Sequence, residues 1–245
     1  MNKIEVLQRF QAKIASGQPI IGGFIKQPTR PETLAAADLL ALYHTAKLQH
    51  HGLIAGLLPL GNANKMIMEF AESVAPMAET KPVLAGVSAA DPFRLMQFFL
   101  KEVQKAGFVG IQNFPSVGII DGPFRSHLES SSSGYNKEIE LIRLAHGLGL
   151  LTAPLVFNPD EATRMIRAGA DILVINPPLK TSDSGEGEDA RSCDELIPHL
   201  TKIINTARTL RADLIILYNN YSAAGLATGH SLFEACPGLN GYWLA

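Results

Sequence analysis

Eight short apolar runs recur along the chain, and each is followed by a polar or amphipathic stretch. They are nearly continuous in apolarity, which is typical of parallel strands buried on both faces of a sheet. The sequence therefore predicts eight parallel strands. The runs are "PIIGGFIK" from 19, "DLLALYHT" from 38, "VLAGVSAA" from 83, "GFVGIQNF" from 107, "LLTAPLVF" from 150, "ADILVINP" from 170, "ADLIILYN" from 212 and "GYWLA" from 241.

The segments between the runs carry signals for helices. In "NPDEATRMIRAGA", Asn158 is the predicted N-cap, and Glu161 three residues later completes a capping-box pattern. In "DPFRLMQFFLKEVQKAGF", Asp91 is the predicted N-cap and Pro92 suits the first helical position. Helices are also predicted near residues 62–78 and 135–147.

The alternation of strand and helix predicts an α/β fold, a single (β/α)8 TIM barrel over residues 1–245. Residues 1–17 form a predicted N-terminal helix before the first strand. The last outer helix is expected to be missing, so we expect the N-terminal helix or a neighbouring molecule to cover the groove beside the first and last strands. A doubly wound open sheet is the alternative, but "GGFIKQPTR" is neither a GxGxxG nor a P-loop motif.

Composition narrows the class of protein. Only 18% of the residues are charged, against about 25% in a typical domain, which favours a homo-oligomer with covered surface. A net charge of -2 and a pI near 6.4 argue against nucleic-acid partners. The two cysteines form no CxxC pair, and no apolar run is long enough for a membrane span. We therefore expect a cytoplasmic protein.

The longest polar connection, residues 113–135, follows the fourth predicted strand. In TIM barrels the loops after the strands build the active site. Within this stretch Asp121 is a candidate divalent-metal ligand or catalytic base, or a turn former before Gly122. Arg125 can bind a carboxylate or phosphate, or pair with Glu129. Glu129 and Glu138 are candidates to pair with Asp121 for metal binding or proton transfer. The simpler interpretation of Glu138, at the start of a predicted helix, is that it complements the helix dipole.

Further polar residues fall at the predicted strand ends. His44 is a candidate general base or metal ligand, or else a hydrogen-bonded barrel histidine. Lys26 and Lys180 suggest a Schiff-base mechanism as a weaker alternative. The candidates for substrate binding, with Arg125, are Ser88, Asn113, Tyr135, Asn176 and Asn219.

Several of these segments resemble the phosphoenolpyruvate hydrolase-like (IGPS-like) TIM-barrel family, which is also related to the C-terminal domain of a plant tobamovirus-resistance protein. The resemblance is carried by "AGLLPLGNAN", "PVLAGVSAADPFRLM", "GFVGIQNFPSVGIIDGPFRSHLE", "GYNKEIELIRLAH" and "FNPDEATRMIRAGADILV". It implies a substrate of the phosphoenolpyruvate or phosphonopyruvate type. The chain departs from the family pattern in four rim loops, at "IKQPTRPET", "YHTAK", "NPPLKTSD" and "YNNYSAA".

Two hypotheses follow. The first is a hydrolase or lyase acting on a small anionic keto acid or a phospho or phosphono relative, in which Asp121 holds Mg²⁺ or Mn²⁺. Arg125 then binds the anion, and Asn113 and His44 orient the carbonyl. The second is a catalytically silent barrel that binds a protein or senses a ligand, which the four altered rim loops motivate.

Overall fold

The computed structural model describes residues 1–25, 35–46, 61–131, 133–177, 193–219 and 225–244, with side chains of the last range from 229 onward. Lys26 and Lys180 lie outside these ranges. The helices are α1 (Lys3–Ala15), α2 (Ala63–Thr80), α3 (Met96–Lys105), α4 (Gly122–Ser130), α5 (Tyr135–Gly147), α6 (Pro159–Arg167), α7 (Cys193–Leu210) and α8 (Gly225–Ala235). In the part of the chain described, no helix is long and apolar enough to cross a membrane.

The strands form one parallel sheet in the order β5-β4-β3-β2-β1-β9-β8-β7-β6. All pairings between neighbours are parallel. Each of the eight predicted runs contains at least one strand. They are β1 (Ile20–Ile25), β2 (Leu39–Leu42), β3 (Val83–Gly86), β4 (Gly110–Gln112), β5 (Leu151–Thr152), β6 (Leu155–Val156), β7 (Ile172–Ile175), β8 (Ile215–Asn219) and β9 (Gly241–Leu244).

The two ends of this strand order, β5 and β6, belong to one segment, residues 151–156. On one side the amide of Ala153 donates to the carbonyl of Ile111 at 3.1 Å. On the other side the amide of Val174 donates to the carbonyl of Pro154 at 2.9 Å. Because Pro154 has no N–H, it interrupts the fifth strand. The hydrogen bonds still close the ring, so the predicted TIM barrel is confirmed.

The N-terminal helix closes the amino end of the barrel. Val6 and Phe10 are fully buried in the cluster that fills the barrel interior. Lys3 of α1 forms a 2.8 Å ion pair with Asp171, just before β7, and Lys13 pairs with Asp38, just before β2. Helix α1 therefore seals one end of the barrel.

The outer face of the last strand is covered by the preceding helix. Tyr242 and Leu244 of β9 are buried in the cluster between the strands and helices, which also contains Leu232 of α8. A Cβ added at Gly229 of α8 would lie 2.5 Å from the Tyr242 ring, so this helix packs directly on the strand. Helix α8, and not α1, therefore covers the outer face of β9, and the predicted contact with a neighbouring molecule stays a prediction.

The helix signals have mixed outcomes. Asn158 caps α6, accepting a 2.9 Å hydrogen bond from the amide of Glu161, as predicted. The capping box is not formed, because the Glu161 carboxylate accepts from the amide of Phe157 instead. Asp91 does not cap a helix, since α3 begins only at Met96. The Asp91 carboxylate accepts hydrogen bonds from the side chain of Asn64 and from the amide of Phe93. The second of these hydrogen bonds forms a turn.

The polar connection 113–135 is largely ordered into secondary structure rather than being a plain loop. It contains a 3₁₀ turn (Val117–Ile119) and helix α4. Gly118 allows this turn to pack closely, because a Cβ there would lie 2.2 Å from the Phe157 ring. The segment does lie after the carboxyl end of β4, where the active-site rim was predicted. We call residues 113–135 the rim segment.

One prediction concerns the close packing of β1 on β9. A Cβ at Gly22 would lie 2.3 Å from the ring of Trp243, so Gly22→Ala should lower the free energy of unfolding by about 1–3 kcal/mol. Gly147→Ala is the matched control, because nothing lies within 4 Å of the added Cβ there. Urea denaturation of both variants measures the difference. Equal stabilities for the two variants would contradict this packing.

Candidate functional site

The carboxyl end of the barrel carries an interior layer of aromatic rings. Tyr43 and Phe114 stack with ring centroids 3.8 Å apart. Phe24 lies 5.0 Å from Tyr43 and 5.2 Å from Trp243, measured between centroids. These four side chains are at most 8% exposed, so rings fill much of the axis at this end. None of these four rings was predicted as a site residue.

Buried amides accompany the rings. The Tyr43 hydroxyl donates a 2.7 Å hydrogen bond to Oε1 of Gln112, and burial raises the pKa of Tyr43 well above its usual range. Nδ2 of Asn219 donates to Oδ1 of Asn176 at 3.0 Å. Nδ2 of Asn176 donates to the carbonyl of Val174. Asn176 and Asn219 are thus buried at strand ends as predicted, and part of their hydrogen bonding is to each other.

His44 is buried beside this layer. Its ring centroid lies 5.8 Å from that of Phe114, and burial lowers the pKa of His44 to about 4. The imidazole is therefore neutral at physiological pH, which makes it a weak general base. Within the described part of the chain, His44 Nδ1, Gln112 Nε2 and Trp243 Nε1 have no hydrogen-bond partner.

A pocket of about 530 Å³ lies between the loop after β3 and the rim segment. Ser88 contributes to one wall, and its backbone N–H and C=O are both held by the buried side chain of Asn64. The other walls come from the 3₁₀ turn, from α4 and from the first turn of α5. Exposed Asp121 and Lys137 also line this pocket.

Glu138 is the buried acid of this pocket, with 3% of its surface exposed. Its carboxyl accepts hydrogen bonds from Ser116 Oγ at 2.7 Å, from the amide of Val117 at 2.8 Å and from Asn113 Nδ2. Burial raises the pKa of Glu138 to about 8, although these hydrogen bonds act to lower it. The sequence offered a simpler interpretation, a Glu that complements the dipole of α5. That interpretation was preferred over a role for Glu138 in metal binding or proton transfer beside Asp121.

Asn113 does not face the barrel axis, which corrects the sequence prediction. On the outer side of the strands, Nδ2 of Asn113 donates hydrogen bonds to Glu138 and to the carbonyl of Leu155. Oδ1 of Asn113 accepts a hydrogen bond from the amide of Leu155. Successive side chains of a strand point to opposite faces, and Gln112 takes the inward direction. Asn113 therefore positions Glu138 and joins β4 to β6.

Each of the three guanidinium nitrogens of Arg125 contacts a protein group. Its Nη2 lies 2.9 Å from Glu161, its Nε lies 2.6 Å from Glu129, and its Nη1 donates to the carbonyl of Val117 at 2.9 Å. The guanidinium also lies 5.4 Å from the ring centroid of Tyr135. The structure thus shows the ion pair with Glu129 that was the alternative to anion binding. We call these four side chains, Arg125, Glu129, Tyr135 and Glu161, the clamp.

The other clamp residues are occupied too. The hydroxyl of fully buried Tyr135 donates to the carbonyl of Leu155 at 2.6 Å, and its amide donates to Glu129. Burial raises the pKa of Tyr135 well above its usual range, so it remains a donor. Glu129 therefore pairs with Arg125 rather than with Asp121. Arg125, Glu129 and Tyr135 thus bind protein groups, and the roles predicted for them at a ligand stay predictions.

The residues described do not make a metal centre. No group of three or more His, Cys, Asp or Glu within the described ranges is arranged to hold a metal ion. Asp121 is exposed at the N-cap of α4, where its side chain makes no capping hydrogen bond. Asp121 precedes Gly122, whose φ of +63° is in the left-handed region. This position agrees with the alternative role of Asp121 as a turn former. A lone exposed carboxylate does not fit the ligand set that Mg²⁺ prefers.

These features define a TIM-barrel protein with a buried acid and a pocket at the carboxyl end of its strands. Residues 5–245 match the model of the phosphoenolpyruvate hydrolase-like family. The chain belongs to this family, as its motifs predicted.

Two tomato (Solanum lycopersicum) proteins are similar to the chain. It is 38% identical over 245 residues to the ToMV susceptible protein tm-1(GCR26), covering 98% of this chain and 32% of that protein. It is 38% identical over 242 residues to the ToMV resistance protein Tm-1(GCR237), covering 97% and 32%. The chain thus spans about a third of the length of these relatives.

Solved structures support the fold. The phosphoenolpyruvate phosphomutase of Streptomyces platensis subsp. rosaceus superposes with a TM-score of 0.60 at 12% identity, covering 98% of this chain and 80% of that one. At this identity the likeness concerns the barrel architecture alone.

The ion pairs of the clamp lead to a testable prediction about the free energy of unfolding. Arg125→Ala leaves the 2%-exposed carboxylate of Glu161 without its cation, which should cost about 3–5 kcal/mol of unfolding free energy. Arg143→Ala is the control, since its pair with Glu140 is exposed and contributes less than about 1 kcal/mol. Chemical denaturation distinguishes the two variants. A side chain that served only a ligand would leave stability unchanged.

The raised pKa of Glu138 predicts how the stability of the protein depends on pH. Between its usual pKa of 4.5 and the raised value of about 8, folded Glu138 keeps a proton that the unfolded chain has released. Its contribution to stability therefore falls as the pH rises through this window. In Glu138→Gln this contribution is absent, so the variant should gain stability relative to wild type between about pH 5 and pH 8.

Urea denaturation across that pH range measures the effect. Glu140→Gln, an exposed change on the same helix, should keep the wild-type pH profile. Parallel stability curves for wild type and Glu138→Gln would show that Glu138 titrates near its usual pKa.

Proposed function

We propose that the protein is an enzyme that acts on a carboxylate-bearing metabolite of the keto-acid or phosphoenolpyruvate type in this pocket, with Glu138 as the proton-transferring residue. The observation that carries the proposal is the buried Glu138 carboxyl, which lines the pocket and has its pKa raised to about 8. A group with a pKa near the working pH transfers protons efficiently in both directions. The name of the family also supports a substrate of this type.

The other polar residues of the pocket suit an anionic substrate. Lys137 brings a positive charge to the wall that holds Glu138. Both residues lie in the first turn of α5, where the helix dipole also favours an anion. The protonated Glu138 can donate to a carbonyl or enolate oxygen, and its carboxylate can accept a proton from a carbon beside a carbonyl. Ser116, hydrogen-bonded to Glu138, holds the carboxyl in place.

The predicted divalent metal is kept as a separate question. A metal ion would stabilise negative charge that develops on the substrate oxygen. Among the residues that line the pocket, Asp121 is the one carboxylate besides Glu138. This pair alone does not form a metal site, so the proposed proton transfer depends on Glu138 and not on a metal.

Turnover assays test the proposal. Phosphoenolpyruvate, pyruvate and oxaloacetate are incubated with the protein, with and without Mg²⁺ or Mn²⁺, and products are followed by NMR. Glu138→Gln should lower turnover by roughly 10²–10⁴-fold. Glu140→Gln should leave turnover intact, since this exposed side chain faces away from the pocket wall and pairs with Arg143.

Turnover that survives in Glu138→Gln would contradict the role of this residue. Asp121→Asn addresses the metal, because the loss of any Mg²⁺ stimulation in that variant would restore the predicted metal role. Equal stimulation in the variant and wild type would remove it.

A second function, a silent barrel that binds a ligand or protein, is favoured by the interior layer. The barrel axis is filled by the rings of Phe24, Tyr43, Phe114 and Trp243. Arg125 pairs with Glu161 within the clamp. This function predicts thermal stabilisation by a ligand, or pull-down of a partner, without turnover. Turnover that depends on Glu138 would exclude it.

A further inference from the structure

The pocket is larger than a three-carbon keto acid requires. Its volume of about 530 Å³ lies within the range of about 300–1,000 Å³ that is typical of sites for drug-sized ligands. A pyruvate-sized ligand would leave much of this space empty, and its apolar walls would stay in contact with water. The volume therefore points to a longer ligand.

Most of the wall is apolar. Ala89 and Ala90 contribute from the loop after β3, Val117 and Ile120 from around the 3₁₀ turn, and Phe124 and Leu128 from α4. Phe124 is 63% exposed, so a large apolar ring at the pocket remains uncovered by the protein. Burying apolar surface of this kind stabilises a complex by roughly 25 cal/mol per Å².

The lining contains three charged residues, two on α5 and one at the N-cap of α4. Lys137 and Glu138 lie together in the first turn of α5, whereas the apolar residues come mainly from the 3₁₀ turn, α4 and the loop after β3. Asp121 is the other charged residue of the lining. A ligand that satisfies both parts carries an acidic head and an apolar tail.

We propose that the pocket binds an amphipathic carboxylic acid, a 2-keto acid with a medium-length alkyl chain or an aromatic ring. Lys137 binds the carboxylate, and the tail lies against Phe124, Leu128 and Ala90. The assignment of a keto acid rests on the proposed function. The assignment of an acid with an apolar tail rests on the pocket alone.

The test is a chain-length series. Dissociation constants are measured by calorimetry for straight-chain 2-keto acids from pyruvate to 2-oxooctanoate, and for phenylpyruvate. Each added methylene contributes about 0.8 kcal/mol when buried, so affinity should rise about fourfold per carbon until the pocket is filled. Affinity that does not rise with chain length would overturn the proposal.

A parallel series of plain carboxylates, from butyrate to octanoate, separates this inference from the enzymatic one. If these acids show the same rise while no substrate is turned over, the amphipathic site stands and the enzymatic proposal fails. If neither series shows a rise, the amphipathic site fails whatever the outcome of the turnover assays.

Two variants with matched controls locate the ligand. Ala90→Phe fills part of the pocket from an exposed position and should abolish the gain for the longer acids. Ala75→Phe, at an exposed position on α2, should keep it. Lys137→Met should weaken every acid by a similar factor, and Lys101→Met on α3 should weaken none. An unchanged chain-length dependence in Ala90→Phe would place the tail elsewhere, provided that circular dichroism shows each variant folded.

Discussion

The ion pair between Arg125 and Glu161 holds the rim segment in the position on which the site depends. Glu161 lies on α6 and is 2% exposed, so its charge requires a partner within the protein. Arg125 supplies it from α4 and bonds the carbonyl of Val117 with the same guanidinium. One side chain thereby ties the turn, α4 and α6 together, and the pocket is the space that this arrangement leaves over β3 and β4.

Burial raises the pKa of both buried acids beside the rim segment, Glu138 and Glu161, but their partners differ. Glu161 has a cation beside it, whereas Glu138 has only neutral donors, from Asn113, Ser116 and Val117. Neutral donors offset less of the cost of burying a charge than a cation does. The pKa of Glu138 therefore rises to about 8, which makes it the proton-transferring candidate of the pair.

The barrel was predictable because continuous apolar runs separated by helix signals leave few alternatives for a chain of this length. The site was harder to predict than the fold. The role of each site residue depends on where its side chain points and which group it contacts, and residue type alone does not show this. Gln112 and Asn113 are adjacent amides at one strand end, but strand alternation sends them to opposite sides of the wall. A correct register at β4 would have revealed this.

Arg125 and Asp91 show the other limit of sequence-based prediction. Their partners Glu161 and Asn64 are distant in the sequence. No local pattern could therefore indicate that Arg125 pairs with Glu161 or that Asp91 accepts a hydrogen bond from Asn64. For Glu138 the sequence favoured the simpler of two roles for a related reason. A Glu in the first turn of a helix has an ordinary explanation, and only its burial in the tertiary structure distinguishes it.

The pairing of β1 with β9 has a consequence for how the protein reaches this fold. Neighbouring strands such as β3 and β4 come together over short stretches of chain, but Gly22 must meet Trp243 from far along the polypeptide. Contacts of such long sequence separation form slowly, because the loop entropy is lost before the contact stabilises the chain. Ring closure is thus expected late in folding. Trp243, the single tryptophan of the sequence, is a built-in optical reporter of that step.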